Sequence, residues 1–131
     1  YKDKFNFVLC LTSNPSALDF EKQLLKSDET LYLYVAKKCN EWNKQYENIG
    51  LVVGGTQDEL PLIRKQVPDL LFLVPGVGHQ GGDYKTVLSN SENTQGLALI
   101  NMSRSILYYS TGNDYTDHIR SQLIKYSTKK V

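Results

Sequence analysis

Hydrophobic residues along this chain fall into short unbroken runs, separated by polar stretches with helical spacing. Phe5-Asn-Phe-Val-Leu-Cys-Leu11 is the first run, and Thr12-Ser13-Asn14-Pro15 closes it. Its length and its aromatic and β-branched content predict a strand. Pro15 biases Asn14 away from helical angles and so predicts a turn, with a short helix over 16–25 after it. Leu31, Val35, Cys39, Trp42 and Tyr46 then recur at steps of four, four, three and four. That spacing predicts a helix over 30–46 that buries this stripe and turns Lys37, Lys38, Glu41 and Lys44 to solvent. Residues 49–54 and 70–75 are continuously apolar, the mark of strands buried on both faces. Between them a helix over 58–67 aligns Leu60, Ile63 and Val67, with Pro61 confined to its first turn. Asp83 is placed to cap a helix running to Leu88. Residues 97–100 predict a fourth strand, and 114–126 a last helix carrying Ile119, Leu123 and Tyr126 on one side.

Strand and helix thus alternate four times, which implies a parallel α/β sheet with right-handed crossovers. Two architectures fit: an open flavodoxin-like sheet, or half of a (β/α)8 barrel, whose full form needs about 250 residues. Residues 1–131 are expected to form one unit. The chain opens at Tyr1 without Met and enters a strand within a few residues, so it is expected to be the middle of a longer protein.

Charge narrows the function. Lys and Arg total 15 against 14 Asp and Glu, which argues against a nucleic-acid surface. No run of 18 apolar residues is present, so no membrane partner is expected, and no secretory pattern opens the chain. Cys10 and Cys39 form no metal-ligand or Cys-x-x-Cys spacing. They are expected to be small buried residues in a reducing, cytoplasmic protein.

In either architecture a ligand meets the C-terminal ends of the strands. The third of those ends carries Pro75-Gly-Val-Gly-His-Gln-Gly-Gly-Asp83. Gly76, Gly78, Gly81 and Gly82 let the backbone turn tightly and present N–H groups to an anion. Gln80 adds an amide that both donates and accepts, suited to a ligand with a phosphate and carbonyl or ring N–H groups. Arg104, after the fourth strand, is a cation whose fork fits phosphate oxygens. If the strands are numbers five to eight of a barrel, these two loops hold the usual barrel phosphate position. Ser13 fits either a flat heterocycle or a turn cap. His79 is a neighbour of any ligand there, and His118 is expected on an exposed helix face. The chain shows no Ser-His-Asp set, no metal cluster and no P-loop.

Leu-Thr-Ser-Asn-Pro (11–15), Gly-Leu-Val-Val-Gly (50–54), Phe-Leu-Val-Pro-Gly-Val-Gly-His-Gln-Gly-Gly-Asp (72–83) and Leu-Ile-Asn-Met-Ser-Arg-Ser-Ile (99–106), in this order, resemble orotidine 5′-monophosphate decarboxylases of the longer bacterial and protozoan-type branch. The resemblance implies the C-terminal half, strands five to eight, of a TIM (β/α)8 barrel. It implies conversion of orotidine monophosphate to UMP in pyrimidine biosynthesis, with no cofactor and no metal, by a homodimer. It implies that Ser13 contacts the pyrimidine, Pro75 borders its pocket, Gln80 links base and phosphate, Arg104 grips the phosphate, and the backbone at Ser103 faces it. His79 stands where the family carries a small residue. The family's catalytic Asp-x-Lys-x-x-Asp motif has no counterpart here. The nearest string, Asp83-Tyr-Lys85-Thr-Val-Leu88, lacks the last Asp and lies in another loop. No catalytic residue is therefore expected in this chain, and the N-terminal half of the same barrel is an expected partner. Two alternatives stand beside this: a non-catalytic half-barrel that binds a phosphorylated nucleotide, and a barrel enzyme for another phosphosugar.

Overall fold

The computed structural model describes residues 2–56, 58–78, 83–108, 110 and 112–127. Strands β1 (Asn6–Leu11), β2 (Ile49–Val53), β3 (Leu71–Val74) and β4 (Leu99–Ile100) run parallel in one sheet, in the order β1-β2-β3-β4. A 3-10 turn at Pro15–Leu18 and α1 (Leu31–Tyr46) connect the first two strands. Helix α2 (Leu60–Gln66) joins β2 to β3, and α3 (Tyr84–Ser91) joins β3 to β4. The chain then forms α4 (Arg104–Leu107) and α5 (Tyr115–Tyr126). Strand order separates the two architectures left open above. A flavodoxin-like sheet reverses direction after its first strand, whereas a walk around a barrel wall keeps neighbours in chain order, as here.

Register divides the sheet into two unlike faces. Leu51 pairs with Phe72, Leu11 with Val53, and Val74 with Ile100. Of these, Leu11, Leu51, Val53, Phe72 and Val74 are fully buried, beneath helices that add Ala36, Cys39, Ile63 and Val87. The alternate row pairs Leu9 with Val52, Val52 with Leu73 and Leu73 with Leu99. Here Leu9 is 57% exposed and Leu99 46% exposed. Continuous apolar runs had predicted burial on both faces; within this chain only the helix-covered face is buried. The second face is as apolar as the first and has no cover among the described residues.

Three helical expectations also change. The predicted stripe holds only in part: Cys39 is buried and Val35 packs against the core, but Trp42 and Tyr46 are 59% and 44% exposed, and Tyr32 and Ala36 complete the buried side. Small Ala36 and Cys39 suit a close approach to the strands, and the aromatics fall on the flank. The predicted helix over 16–25 stops at Leu18 because Thr12 draws the next segment back over the strand end. Its N–H and Oγ1 donate to Glu21 Oε2 at 2.7 and 3.0 Å. On α5 the aligned Leu123 is exposed and Gln122 is the buried residue. Other expectations hold. Pro61 lies in the first turn of α2. Asp83 caps α3 by accepting from Thr86 N at 2.9 Å, and this bond and that from the Thr86 hydroxyl hold its carboxyl below the usual range. Cys10 and Cys39 are free and buried.

Arg64 fastens the N-terminal end of β3. Its Nη1 donates to the carbonyls of Val67, Pro68 and Leu70, and its Nη2 to that of Ser91. The guanidinium lies 3.5 Å over the Phe72 ring. Burial pushes its pKa down to about 10, opposed by Asp69, so it stays a cation at neutral pH.

Candidate functional site

The loops after all four strands meet at one end of the sheet, and short contacts between them fix their relative positions. Ser13 follows β1 and leans on Gly54, which follows β2. A Cβ at Gly54 would lie 2.9 Å from Ser13 N and closer still to its Oγ, so only glycine fits. Thr56 Oγ1 donates to Ser13 Oγ at 2.8 Å. Gly55 N donates to the Pro75 carbonyl at 2.8 Å, tying the β2 loop to the β3 loop. Asn101 N donates to the Val74 carbonyl at 3.0 Å and carries the tie on to β4.

The glycine-rich segment uses glycine for conformation as well as space. Gly76 and Gly78 have φ of +88° and +87°, which L side chains rarely adopt. A Cβ on Gly78 would also come within 3.1 Å of Met102 Cε and of Ser105 Cβ. Between these glycines Val77 is buried against Gly55 and anchors the start of the loop. His79, Gln80, Gly81 and Gly82 lie outside the described residues.

Ser103 precedes α4, and Arg104 is its first residue. Both are exposed, and Ser103 Oγ donates to Asn101 Oδ1 at 3.3 Å. Gly78, Arg104, Ser105, Tyr108, Gln122, Lys125 and Tyr126 line a recess of about 390 Å³. Ser105 Oγ is buried there without a hydrogen-bond partner. The sheet end is thus polar and glycine-lined. It offers hydroxyls on the β1 side and cations on the β4 side. That arrangement suits a ligand with a neutral hydrogen-bonding group at one end and an anion at the other.

Of the residues expected from sequence, Ser13, Pro75, Ser103 and Arg104 all fall at this end. His118, expected to be exposed, is half-buried, with its Nε2 2.9 Å from Asp114 Oδ2 one turn earlier. From sequence Glu21 falls within the expected helix over 16–25, and Thr56 stands at the end of the second strand with no role of its own. Both act through contacts to residues 9 and 43 positions away, a kind of signal that periodicity does not carry. Among the described residues no group of three or more His, Cys, Asp and Glu is placed to hold a metal, and no helix is long and apolar enough to cross a membrane.

Residues 2–112 match the family model described as orotidine 5′-phosphate decarboxylase / HUMPS family. The orotidine 5′-phosphate decarboxylase of Dehalococcoides mccartyi strain CBDB1 is 49% identical over 122 residues, covering 88% of this chain and 44% of that protein. That of Halobacterium salinarum is 48% identical over 104 residues, covering 78% of this chain and 39% of that protein. Among solved structures, the OMP decarboxylase of Leishmania donovani superposes with a TM-score of 0.77 at 34% identity, covering 96% of this chain and 48% of that one. The chain therefore spans less than half the length of the curated relatives it matches. With nearly its whole sheet-forming length inside the match, this chain belongs to the orotidine 5′-phosphate decarboxylase / HUMPS family.

Proposed function

We propose that this chain is the C-terminal half of an orotidine 5′-monophosphate decarboxylase barrel, acting in pyrimidine biosynthesis. The observation that carries the proposal is the convergence of the Ser13, Pro75 and Arg104 loops at one end of a sheet whose strands run in barrel order. Arg104 would grip the phosphate of the nucleotide, and Gln80 with the backbone at Ser103 would complete that grip. Ser13 would meet the pyrimidine, with Pro75 at its edge. The separation of hydroxyls from cations across the sheet supports this polarity.

The half that removes CO2 would be the other one. A decarboxylation needs a group that stabilises the carbanion-like transition state and protonates the carbon, and an array of Lys and Asp supplies both. This chain lacks the family's Asp-x-Lys-x-x-Asp string, so we assign it no turnover by itself. Binding energy gathered at the phosphate, far from the reacting carbon, would hold the substrate against that array. The N-terminal half of the barrel would cover the row Leu9, Val52, Leu73 and Leu99 and pair with the β1 and β4 edges. The assembled enzyme would work in the cytoplasm as a homodimer.

The test uses the assembled barrel and UMP calorimetry beside turnover of orotidine monophosphate. Arg104→Ala is expected to weaken UMP by about 1.5–3 kcal/mol, the range for a hydrogen bond to a charged group. Unchanged UMP affinity, or no turnover by the assembled wild-type protein, would overturn the assignment.

A further inference from the structure

Ser13 is held from three directions. Its upstream neighbour Thr12 is fixed by Glu21, which accepts from the Thr12 N–H and hydroxyl. Its side chain rests on Gly54, where no Cβ fits. Its Oγ accepts from Thr56 Oγ1 at 2.8 Å, across 43 residues of sequence. The first two contacts fix the backbone and close off the space on one side. Of these three, the contact from Thr56 is the one that acts on the hydroxyl itself.

A serine hydroxyl has one proton to donate and two lone pairs to accept with. When Thr56 donates to one lone pair, Ser13 keeps its own proton and the second lone pair. It then offers a ligand one donor and one acceptor from a single atom. That pair matches the adjacent carbonyl and N–H groups along the imide edge of a pyrimidine. An unrestrained serine would spread among its rotamers and lose part of that match.

We propose that Thr56 is a positioning residue for base recognition: its hydroxyl sets the rotamer of Ser13 and leaves the Ser13 proton free for the base. This rests on the assignment of Ser13 to the pyrimidine. It adds a residue from a different loop, on β2 rather than β1, so that the base site is built by two strand ends acting together.

The test is a double-mutant cycle in the assembled barrel, read by the affinities of UMP and of ribose 5-phosphate, which lacks the base. Thr56→Val keeps the side-chain shape and removes the hydroxyl. It is expected to weaken UMP about three- to tenfold, the range for one neutral hydrogen bond, and to leave ribose 5-phosphate unchanged. Thr56→Ser is expected to restore UMP binding. In a Ser13→Ala background, Thr56→Val is expected to add nothing, because the partner it acts on is gone. Equal losses for the two ligands, or the same loss with and without Ser13, would mean that Thr56 only supports its loop, and would overturn the proposal. A Ser13→Ala variant with wild-type UMP affinity would remove the assignment of Ser13 itself, an outcome distinct from failure of Thr56 alone. Thr56 is exposed, and should Thr56→Val fail to fold, Thr56→Ala is read through the same cycle.

Discussion

Replacing Arg64 by Met keeps most of the side-chain stem and removes the guanidinium. Three bonds from Nη1, at 2.9, 3.2 and 2.8 Å, and one from Nη2, at 2.6 Å, are lost together. Leu70 and Ser91 are fully buried, so water is poorly placed to replace the donor at their carbonyls. Each stranded acceptor costs about 1–3 kcal/mol. Release of a buried cation offsets part of that loss, as does the end of the cost carried by Nε, which is buried without a partner. The expected net loss is about 2–4 kcal/mol, which for a domain of this size lowers Tm by roughly 10 °C. Arg64→Lys should recover little, since an ammonium is a compact point charge that cannot reproduce the planar fork over Phe72. Thermal and urea unfolding of the assembled barrel would measure both variants. UMP affinity below the transition should stay near wild type, because Arg64 lies at the strand end opposite the site. A Tm change under about 2 °C for Arg64→Met would refute this account of how the α2–β3 junction is held.

Two further outcomes follow from the geometry. Gly54→Ala should cost about 1–3 kcal/mol of stability, as an overpacked position does, and should weaken UMP more than ribose 5-phosphate, because the new Cβ displaces Ser13; a nucleotide affinity equal to wild type would count against that contact. Burial pushes the Cys10 thiol up to about 12, with Cys39 and Glu21 adding to the rise. Its contribution to stability is therefore fully present below the ordinary thiol range and lost as pH rises toward 12, and in the folded protein iodoacetamide at pH 8 should label neither Cys10 nor Cys39 until the protein unfolds.

Elements of strong period were legible from residues alone. Continuous apolar runs located all four strands, and Pro61 and Asp83 fixed two helix starts through backbone chemistry that is local to them. Where the outcome depended on a partner far along the chain, local pattern failed. The stripe Leu31, Val35, Cys39, Trp42 and Tyr46 obeys helical spacing, yet the buried side is set by where the sheet lies: Cys39 stays buried, Trp42 and Tyr46 are exposed, and Tyr32 and Ala36 are buried in addition. Arg64 sits in the last turn of α2, and nothing in the neighbouring residues marks it out. Only the fold brings the Ser91 carbonyl, 27 positions away, to its guanidinium. The candidate site was legible to the extent that glycine and its spacing declare a loop. The Thr56 contribution was not, because a single threonine after a strand has many uses.

The mismatch between the strands and their surroundings carries more information than any one residue. A strand that packs on one side only alternates apolar and polar residues, as antiparallel sheets with a wet face do. Here Leu9, Val52, Leu73 and Leu99 form a row across all four strands on the face that the helices leave open. Covering a Leu or Val fully is worth about 1.5–3 kcal/mol each, so the uncovered row is a large driving force for association. Among the described residues the β1 and β4 edges pair with no further strand, and such edges favour the same event. On the proposed assignment, closing the barrel would cover this face, pair these edges and bring the reacting groups of the other half over the phosphate grip of this one. Folding and assembly of the site would then be one transition. Solvent-facing polar substitutions on that row, such as Leu9→Lys, would be expected to abolish turnover without touching any residue that meets the ligand.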